Sequence, residues 1–104
     1  MIDLRHLRHA LALAEHGNFA RAADACHITQ PALTRSIQSL EAALGVTLFD
    51  RRRGGVEPTA FGRLVLDHAA GLDMGSRELE RELQLARGLE IGELVVGVGP
   101  YGGA

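Results

Sequence analysis

The segment that most constrains the fold is residues 19–44, which holds two short apolar stripes separated by very few residues. Apolar residues recur at the spacing of one helix face in each half: Phe19, Ala22, Ala23 and Cys26 in the first, and Leu33, Ile37, Leu40 and Leu44 in the second. Asn18 and Thr29 are suited to cap the two helices, and Pro31 fits the first turn of the second. Only two residues separate the first stripe from the second cap, so the helices must cross steeply. This pattern predicts a helix-turn-helix.

The face of the second helix that points away from its apolar stripe carries side chains able to read bases. At about 100° per residue, this face holds Gln30, Pro31, Thr34, Arg35 and Gln38. Gln can bond adenine, Arg can bond guanine, and the Thr methyl can pack on thymine. Any soluble helix has a polar outer face, but this one lacks the Glu/Lys pairs of an ordinary solvated helix. We therefore predict that the face reads DNA in the major groove, with Thr29 acting both as a cap and as a contact.

Charge is unevenly distributed along the chain. The net charge is −2, yet residues 1–63 carry eight Arg against six acidic residues, whereas residues 64–104 carry three Arg against seven. A positive first part followed by an acidic part suits a DNA-facing head on an acidic helix. The length of 104 residues bounds the chain to one small domain with appendages.

Little in the sequence favours an enzyme, a metal protein or a membrane protein. The single cysteine, Cys26, excludes an intrachain disulfide, and its place on an apolar face predicts a small core residue. His6 and His9 have metal-compatible spacing, but we interpret them as surface histidines, since that face lacks a cysteine or acidic partner. We find no catalytic triad, metal ligand set or phosphate loop, so we expect no enzymatic activity and no cofactor in this chain. Without a membrane-spanning run or a signal pattern, we expect a cytoplasmic protein with no membrane partner.

A helix and a hairpin flank the central motif. The helix is predicted over 3–16, capped by Asp3 and stopped by Gly17, with an apolar stripe of Leu4, Leu7, Leu11 and Ala14. After Gly45, residues 46–58 predict a hairpin that reverses at Gly54-Gly55. The apolar residues Val46, Leu48, Phe49 and Val56 supply its strands, and its tip carries Arg51, Arg52 and Arg53. An arginine run is usually a solvated loop, but directly after a recognition helix it favours a wing on the DNA backbone or minor groove.

A long helix is predicted from Thr59 to Leu89, with a heptad-like seam. One row holds Gly62, Ala69, Ser76 and Leu83, and the other holds Val65, Leu72, Leu79 and Ala86. A helix tucked on its own domain would bury a similar stripe. We favour pairing with a second copy, because the chain is too small to cover a helix of about 45 Å at 1.5 Å per residue. The predicted fold class is mainly α: a winged helix-turn-helix of three helices plus a hairpin wing, followed by a dimerisation helix.

Three collinear segments resemble LysR-type transcriptional regulators: DLRHLRHALALAEHGNFARAA, CHITQPALTRSIQSLEAALGVTLFDR and PTAFG. The resemblance covers about the first ninety residues and implies a bacterial dimeric activator or repressor with a downstream effector-binding domain. It implies base and nearby phosphate contacts at Gln30, Pro31, Thr34 and Arg35, and backbone or minor-groove contacts at Arg21 and Arg51. The family often has its wing arginine where this chain has Gly54. The resemblance therefore assigns the wing contact only approximately, to Arg53 or alternatively to Arg52. The resemblance also suggests antiparallel linker helices, and it leaves a tetramer open for the full-length protein.

Residues 90–104 are expected to begin a domain that this sequence lacks. Gly88 and Gly92 bracket a predicted break, and ELVVGVG resembles the first strand of the family's effector domain. With no sheet to join, Leu94 to Val98 is expected to be frayed. The GVGPYGG tail superficially resembles a nucleotide loop, which we reject because no helix follows it. The predicted division is therefore 1–58 for the winged domain, 59–89 for the linker helix and 90–104 for the truncated strand, with a small-molecule effector binding the absent domain.

A winged helix can also serve as a protein-interaction module, and this alternative stays open at the level of sequence. The arginine wing favours DNA, because interface cores are depleted of charge. A steep salt dependence of binding to mixed DNA would discriminate the two.

Overall fold

The structure, a computed structural model, describes the backbone of residues 2–96 and the side chains of residues 2–89. Its elements are α1 Leu4–His16, α2 Phe19–Cys26, α3 Gln30–Leu44, β1 Phe49–Arg52, β2 Gly55–Pro58 and α4 Ala60–Val96. This order confirms the predicted winged helix-turn-helix followed by a long helix. The GVGPYGG tail lies outside the described residues.

The first three helices begin and end where local chemistry requires. Side-chain oxygens accept hydrogen bonds from first-turn amides: Asp3 from Arg5 at 2.8 Å, Asn18 from Arg21 at 3.0 Å, and Thr29 from Ala32 at 3.2 Å. Each bond satisfies one amide that has no partner within its helix. Gly17 and Gly45 end α1 and α3 with φ of 65° and 74°, a left-handed conformation that costs glycine little. The predicted caps and stops are confirmed.

The turn between α2 and α3 closes on a residue that is not glycine. His27 has a φ of 59°, and its amide bonds to the Asp24 carbonyl at 3.1 Å. The next amide, of Ile28, bonds to the Ala23 carbonyl at 3.0 Å. These bonds satisfy the last carbonyls of α2 and fix the short turn that sets the crossing of the motif.

The core lies where α1, α2 and α3 meet the hairpin and the start of α4. The buried apolar residues are Leu7, Ala10, Leu13, Ala22, Ala23, Leu33, Ile37, Leu40, Leu48, Phe49, Val56 and Ala69. The stripe predicted for α1 is rotated, because Ala10 and Leu13 are buried whereas Leu4 is 37% exposed. Residues 10–14 are all apolar, so the pattern alone does not determine which face of α1 is buried. Cys26, predicted as a core residue, is only half-buried at the end of α2, where burial raises the pKa of its thiol.

The hairpin differs from its prediction in where the arginines lie. Arg51 pairs with Val56 and Arg52 with Gly55, so both arginines belong to β1, and the turn is formed by Arg53 and Gly54. The prediction that all three lie at the tip is therefore wrong. A two-residue turn leaves room for only one of them, and strand alternation sends Arg51 and Arg52 to opposite faces.

The wing is fixed to the loop that follows α1. The Val56 amide bonds to the Gly17 carbonyl at 3.0 Å, and a Cβ placed on Gly55 would lie 2.2 Å from that same oxygen. Glycine at position 55 thus allows β2 to approach the loop closely. These contacts hold the hairpin against the end of α1 and the loop that follows it.

Thr59 joins the wing to α4. Its amide bonds to the Leu48 carbonyl at 2.9 Å, its hydroxyl donates to the Thr47 carbonyl at 2.6 Å, and the same oxygen accepts from the Gly62 amide at 2.9 Å. Thr59 therefore caps the start of α4. At Gly62, a Cβ would lie 2.0 Å from the Leu48 carbonyl oxygen, so the first turn of α4 packs directly on backbone.

The far part of α4 departs from prediction. The helix continues through Gly88 and Gly92 to Val96, whereas a break near Leu89 and a strand from Leu94 were predicted. For 94–96 the strand is wrong, and residues 97 and 98 lie outside the described residues. A helix satisfies its backbone groups within the segment, whereas a strand requires a neighbour, and each glycine costs a helix only about 1 kcal/mol. The chain divides into two units between Asp73 and Met74, and the described side chains of 77–89 are all exposed.

Candidate nucleic-acid interface

The predicted reading face exists as one surface of α3. Four of its side chains are exposed, and that of Thr34 is half-buried. A groove of about 400 Å³ runs beside four of them and is lined by Phe19, Gln30, Pro31, Thr34, Arg35 and Arg51. Gln38 lines a neighbouring cavity with Phe49 and Arg51. The structure therefore brings the start of α3 together with one arginine of the wing. We call this the α3–wing groove.

Arg51 is positioned by an aromatic side chain that the sequence analysis assigned to the core. The Arg51 guanidinium lies 5.0 Å from the centre of the Phe19 ring, within the range of a cation–π contact. Phe19 is only half-buried, because its ring lies between the core and this arginine. Helical periodicity identified its inner side, but the contact with a residue 32 positions later in the numbering has no local signal.

The other predicted arginines occupy different settings. Arg52 forms an ion pair with Glu57 across the hairpin, with 3.3 Å between Nε and the carboxylate oxygen. Arg53 is exposed in the turn, and Arg21 is exposed on α2. Arg21, Arg52 and Arg53 do not line the α3–wing groove. Arg52 instead lines an adjoining cavity together with Gln30 and Arg51.

Two histidines of α1 do not share one environment. His9 is half-buried, and its Nδ1 lies 2.6 Å from the hydroxyl oxygen of buried Ser36 on α3. Burial lowers the pKa of His9, and neighbouring His6 and Arg5 lower it further. The prediction of a surface histidine is therefore wrong for His9, since the buried face of α1 is rotated from the predicted stripe towards Ala10 and Leu13. Among residues 2–89, whose side chains are described, no group of three or more potential ligands that could hold a metal ion is found.

The seam predicted on α4 is divided by the fold. Ala69 is fully buried in the chain's own core, so its assignment to an interface with a second copy is wrong. Gly62 is buried as well, and Val65 packs against the core. Outward-facing Leu72, Leu79 and Leu83 are 52%, 59% and 49% exposed. The role of these leucines and of half-buried Ser76 in an interface with a second copy stays a prediction.

Exposed apolar residues also occur where the sequence analysis did not place them. Phe61 and Leu64, near the start of α4, are 58% and 59% exposed. At about 100° per residue, both lie within a quarter turn of Leu72 on its side away from Ala69. Any apolar seam on this part of α4 is thus rotated away from the core-facing row.

The fold and the polar surface of α3 define a class of protein, the DNA-binding winged helix-turn-helix of transcription regulators. The family follows from comparison. Residues 4–63 match the model described as "Bacterial regulatory helix-turn-helix protein, lysR family", and the chain belongs to that family.

Two relatives illustrate the match. The chain is 56% identical over 104 residues to the SDS degradation transcriptional activation protein of Pseudomonas sp. (strain ATCC 19151), covering 100% of this chain and 34% of the relative. It is 47% identical over 97 residues to the HTH-type transcriptional regulator ClcR of Pseudomonas putida, covering 91% of this chain and 32% of ClcR. The chain thus spans about a third of the length of these relatives.

Solved structures give the same result. The CbnR DBD–DNA complex matches with 41% identity and a TM-score of 0.72, covering 82% of this chain and 99% of that one. The BenM DBD complex with benA site 1 DNA matches with 34% identity and a TM-score of 0.77, covering 83% of this chain and 97% of that one. In the described part of this chain, no helix has the length and apolarity needed to cross a membrane.

Proposed function

We propose that this chain is the DNA-binding region of a LysR-type transcriptional regulator that reads its operator with the start of α3. The observation that carries the proposal is the gathering of Gln30, Thr34 and Arg35 beside Arg51 along one open groove. These side chains combine base-edge donors and acceptors with a cation placed for the backbone. The complexes of CbnR and BenM named above contain DNA, which supports the same mode of binding here.

Each residue takes a role from its setting. Arg35 is exposed at the centre of the outward face, so it suits bidentate contact with guanine, and Gln30 suits contact with adenine. Pro31 and Thr34 supply apolar contact to thymine methyls. Thr29 caps the start of α3 and would lie close to the DNA backbone. Gln38 extends the face towards the C-terminal part of α3.

The wing supplies contacts that do not depend on sequence. Arg51 lies beside the reading face and is fixed over Phe19, so it is the best placed of the wing arginines to meet a phosphate next to the bases being read. Arg52 is engaged with Glu57, and the turn places Arg53 where it would reach a more distant phosphate or the minor groove. Arg21, on α2, is assigned a further backbone contact.

Dimerisation through α4 completes the proposal. Leu72, Leu79 and Leu83 are large, apolar and exposed in one chain, and covering them with a second copy removes that surface from water. Two heads joined by paired helices would bind two half-sites of an interrupted inverted repeat. The relatives are about three times as long as this chain. We assign effector binding, the choice between activation and repression, and any tetramer to a full-length protein of that size.

Binding to mixed-sequence DNA over a range of salt concentrations tests the proposal. The affinity should fall steeply with salt, because each neutralised phosphate contributes about 0.9 to the slope of log K against log salt. Arg51→Ala should reduce that slope by about one, while Arg81→Ala, on the exposed α4 surface, should leave it unchanged. A protein-interaction module would instead give no salt-dependent retention of DNA, and that result would refute the proposal.

A further inference from the structure

A second polar groove lies between α1 and α3 and is separate from the α3–wing groove. It is lined by Arg5, His6 and His9 of α1 and by Ala32, Arg35, Ser36 and Ser39 of α3, with a volume of about 350 Å³. We call it the α1–α3 groove.

The two grooves lie on opposite sides of Arg35 on α3. At about 100° per residue around α3, Gln30 and Thr34 lie on one side of Arg35, whereas Ser36 and Ser39 lie on the other. Arg35 accordingly lines both grooves. A helix that enters the major groove with Arg35 foremost would carry the wing on one flank and the α1–α3 groove on the other.

The side chains of the α1–α3 groove are suited to an anion. The floor is the His9–Ser36 hydrogen bond of 2.6 Å, and Ser36 is only 7% exposed. At the rim, the Arg5 side chain is 76% exposed, and Ser39 is exposed. None of the described residues that line the groove is acidic, so hydroxyl, imidazole and guanidinium donors face one space.

One carboxylate stands next to the groove and moderates its charge. Asp3 pairs with Arg5 at 2.8 Å and lies 4.0 Å from the His6 ring nitrogen. The hydrogen bonds from Arg5 lower the pKa of Asp3 to about 2, so Asp3 is ionised at neutral pH. It holds Arg5 at the rim, and it also opposes any anion that approaches.

We propose that the α1–α3 groove holds a backbone phosphate of the DNA strand that borders the major groove on the side away from the wing. Arg5, His6 and Ser39 make the contact, and Asp3 limits its strength. The major groove is about 12 Å wide and a helix with its side chains is about 10–12 Å across, so an inserted α3 brings both flanks to a backbone. The inference rests on the proposed function of α3.

Three substitutions test the groove in equilibrium binding to duplex DNA. Arg5→Gln and Ser39→Ala should each weaken binding several-fold on all sequences alike, and Arg5→Gln should lower the salt slope by about one. Asp3→Asn should strengthen binding several-fold at low salt, because it removes the opposing charge while asparagine still caps α1. Arg81→Gln, which removes an exposed arginine paired with Glu78, is the matched control and should bind like wild type.

Thermal melting of each variant separates lost binding from lost folding, since Arg5 and Ser39 are exposed and their variants should melt like wild type. If wild type binds DNA and Arg35→Ala weakens it, but Arg5→Gln and Ser39→Ala bind like wild type, the groove proposal is refuted while the proposed function stands. If wild type shows no salt-dependent DNA binding, the proposed function itself fails.

Inorganic phosphate, titrated at constant ionic strength and followed by the Ser39 amide resonance, distinguishes a free anion from a DNA phosphate. We expect no saturable shift below millimolar phosphate, because a single ion lacks the other contacts that DNA provides. Saturable binding of phosphate, together with unchanged DNA binding by Arg5→Gln, would assign the groove to a small anion and overturn the proposal.

Discussion

Replacing Gly62 by alanine is a sharp test of how α4 is attached to the winged domain. The added Cβ would lie 2.0 Å from the Leu48 carbonyl oxygen, 3.0 Å from its carbon and 3.3 Å from the Cβ of Pro58. The nearest obstacle is backbone and cannot rotate away. The same Leu48 oxygen accepts the Thr59 amide at 2.9 Å, so relieving the clash strains or breaks the bond that begins α4.

The magnitude follows from opposing contributions. Overpacking costs about 1–3 kcal/mol, and weakening the Thr59–Leu48 bond costs about 1 kcal/mol more. Alanine favours a helix over glycine by about 1 kcal/mol, which offsets part of the loss. We expect Gly62→Ala to be less stable by about 2 kcal/mol, which lowers the Tm by about 8–16 °C for a domain of this size.

Gly71→Ala is the matched control, because it makes the same change in the same helix. A Cβ at Gly71 would meet nothing within 4 Å, so only the helical preference acts and the variant should gain up to about 1 kcal/mol. Thermal unfolding followed by circular dichroism compares the two variants, with sedimentation confirming that their association state is equal. Equal stability of Gly62→Ala and Gly71→Ala would refute the close packing of α4 on Leu48.

Three further outcomes are expected. Thr29→Ala should cost about 0.5–2 kcal/mol of stability and Thr29→Ser almost nothing; thermal melts decide, and a Thr29→Ala protein that melts like wild type would remove the cap. Leu72→Arg would place an unpaired charge in the α4 pairing surface, so sedimentation should give a folded monomer with weakened binding to full operators, and an unchanged dimer would place the interface elsewhere. Because the folded state lowers the pKa of His9, the unfolded chain binds more protons below about pH 6.5, and stability should fall as the pH decreases through that value. The Tm of His9→Asn should fall less over the same pH range, and equal slopes for both proteins would contradict this.

The parts of the fold that depend on local chemistry were predictable. The caps at Asp3, Asn18 and Thr29 and the left-handed Gly17 and Gly45 use contacts within a few residues, so the sequence determines them almost alone. For the same reason, the outward face of α3 was predicted from one periodic stripe. Four of its five members are exposed, and the fifth is half-buried.

The features that depend on packing between distant segments were missed. Ala69 and Gly62 share a row with Ser76 and Leu83 in the heptad pattern, and a row of small residues fits a partner helix as well as the chain's own core. Only the observed packing distinguishes the two, and it places Ala69 in the core. The burial of Ala10 and Leu13 was missed in the same way, because residues 10–14 of α1 are all apolar and only the packing shows which face is buried.

The candidate site was predictable on α3 but not around it. The cation–π contact of Arg51 with Phe19 and the His9–Ser36 hydrogen bond each join separate elements. The position of the wing arginines was mistaken because the run RRR does not reveal where a two-residue turn falls. The turn falls at Gly54, which has a φ of 86°. A prediction that paired Gly55 with Arg52 would have placed Arg51 and Arg52 in the strand, as observed.

The most direct test of the central claim is a comparison of sequence discrimination in wild type and Arg35→Ala. Sites are selected from random duplex DNA, and the affinity for the best site is measured against a scrambled duplex at one fixed salt concentration. We expect wild type to prefer the selected site, and Arg35→Ala to lose about 1–3 kcal/mol on it while relaxing the preference at one base position. An Arg35→Ala protein with unchanged affinity and preference would show that the outward face of α3 does not read DNA.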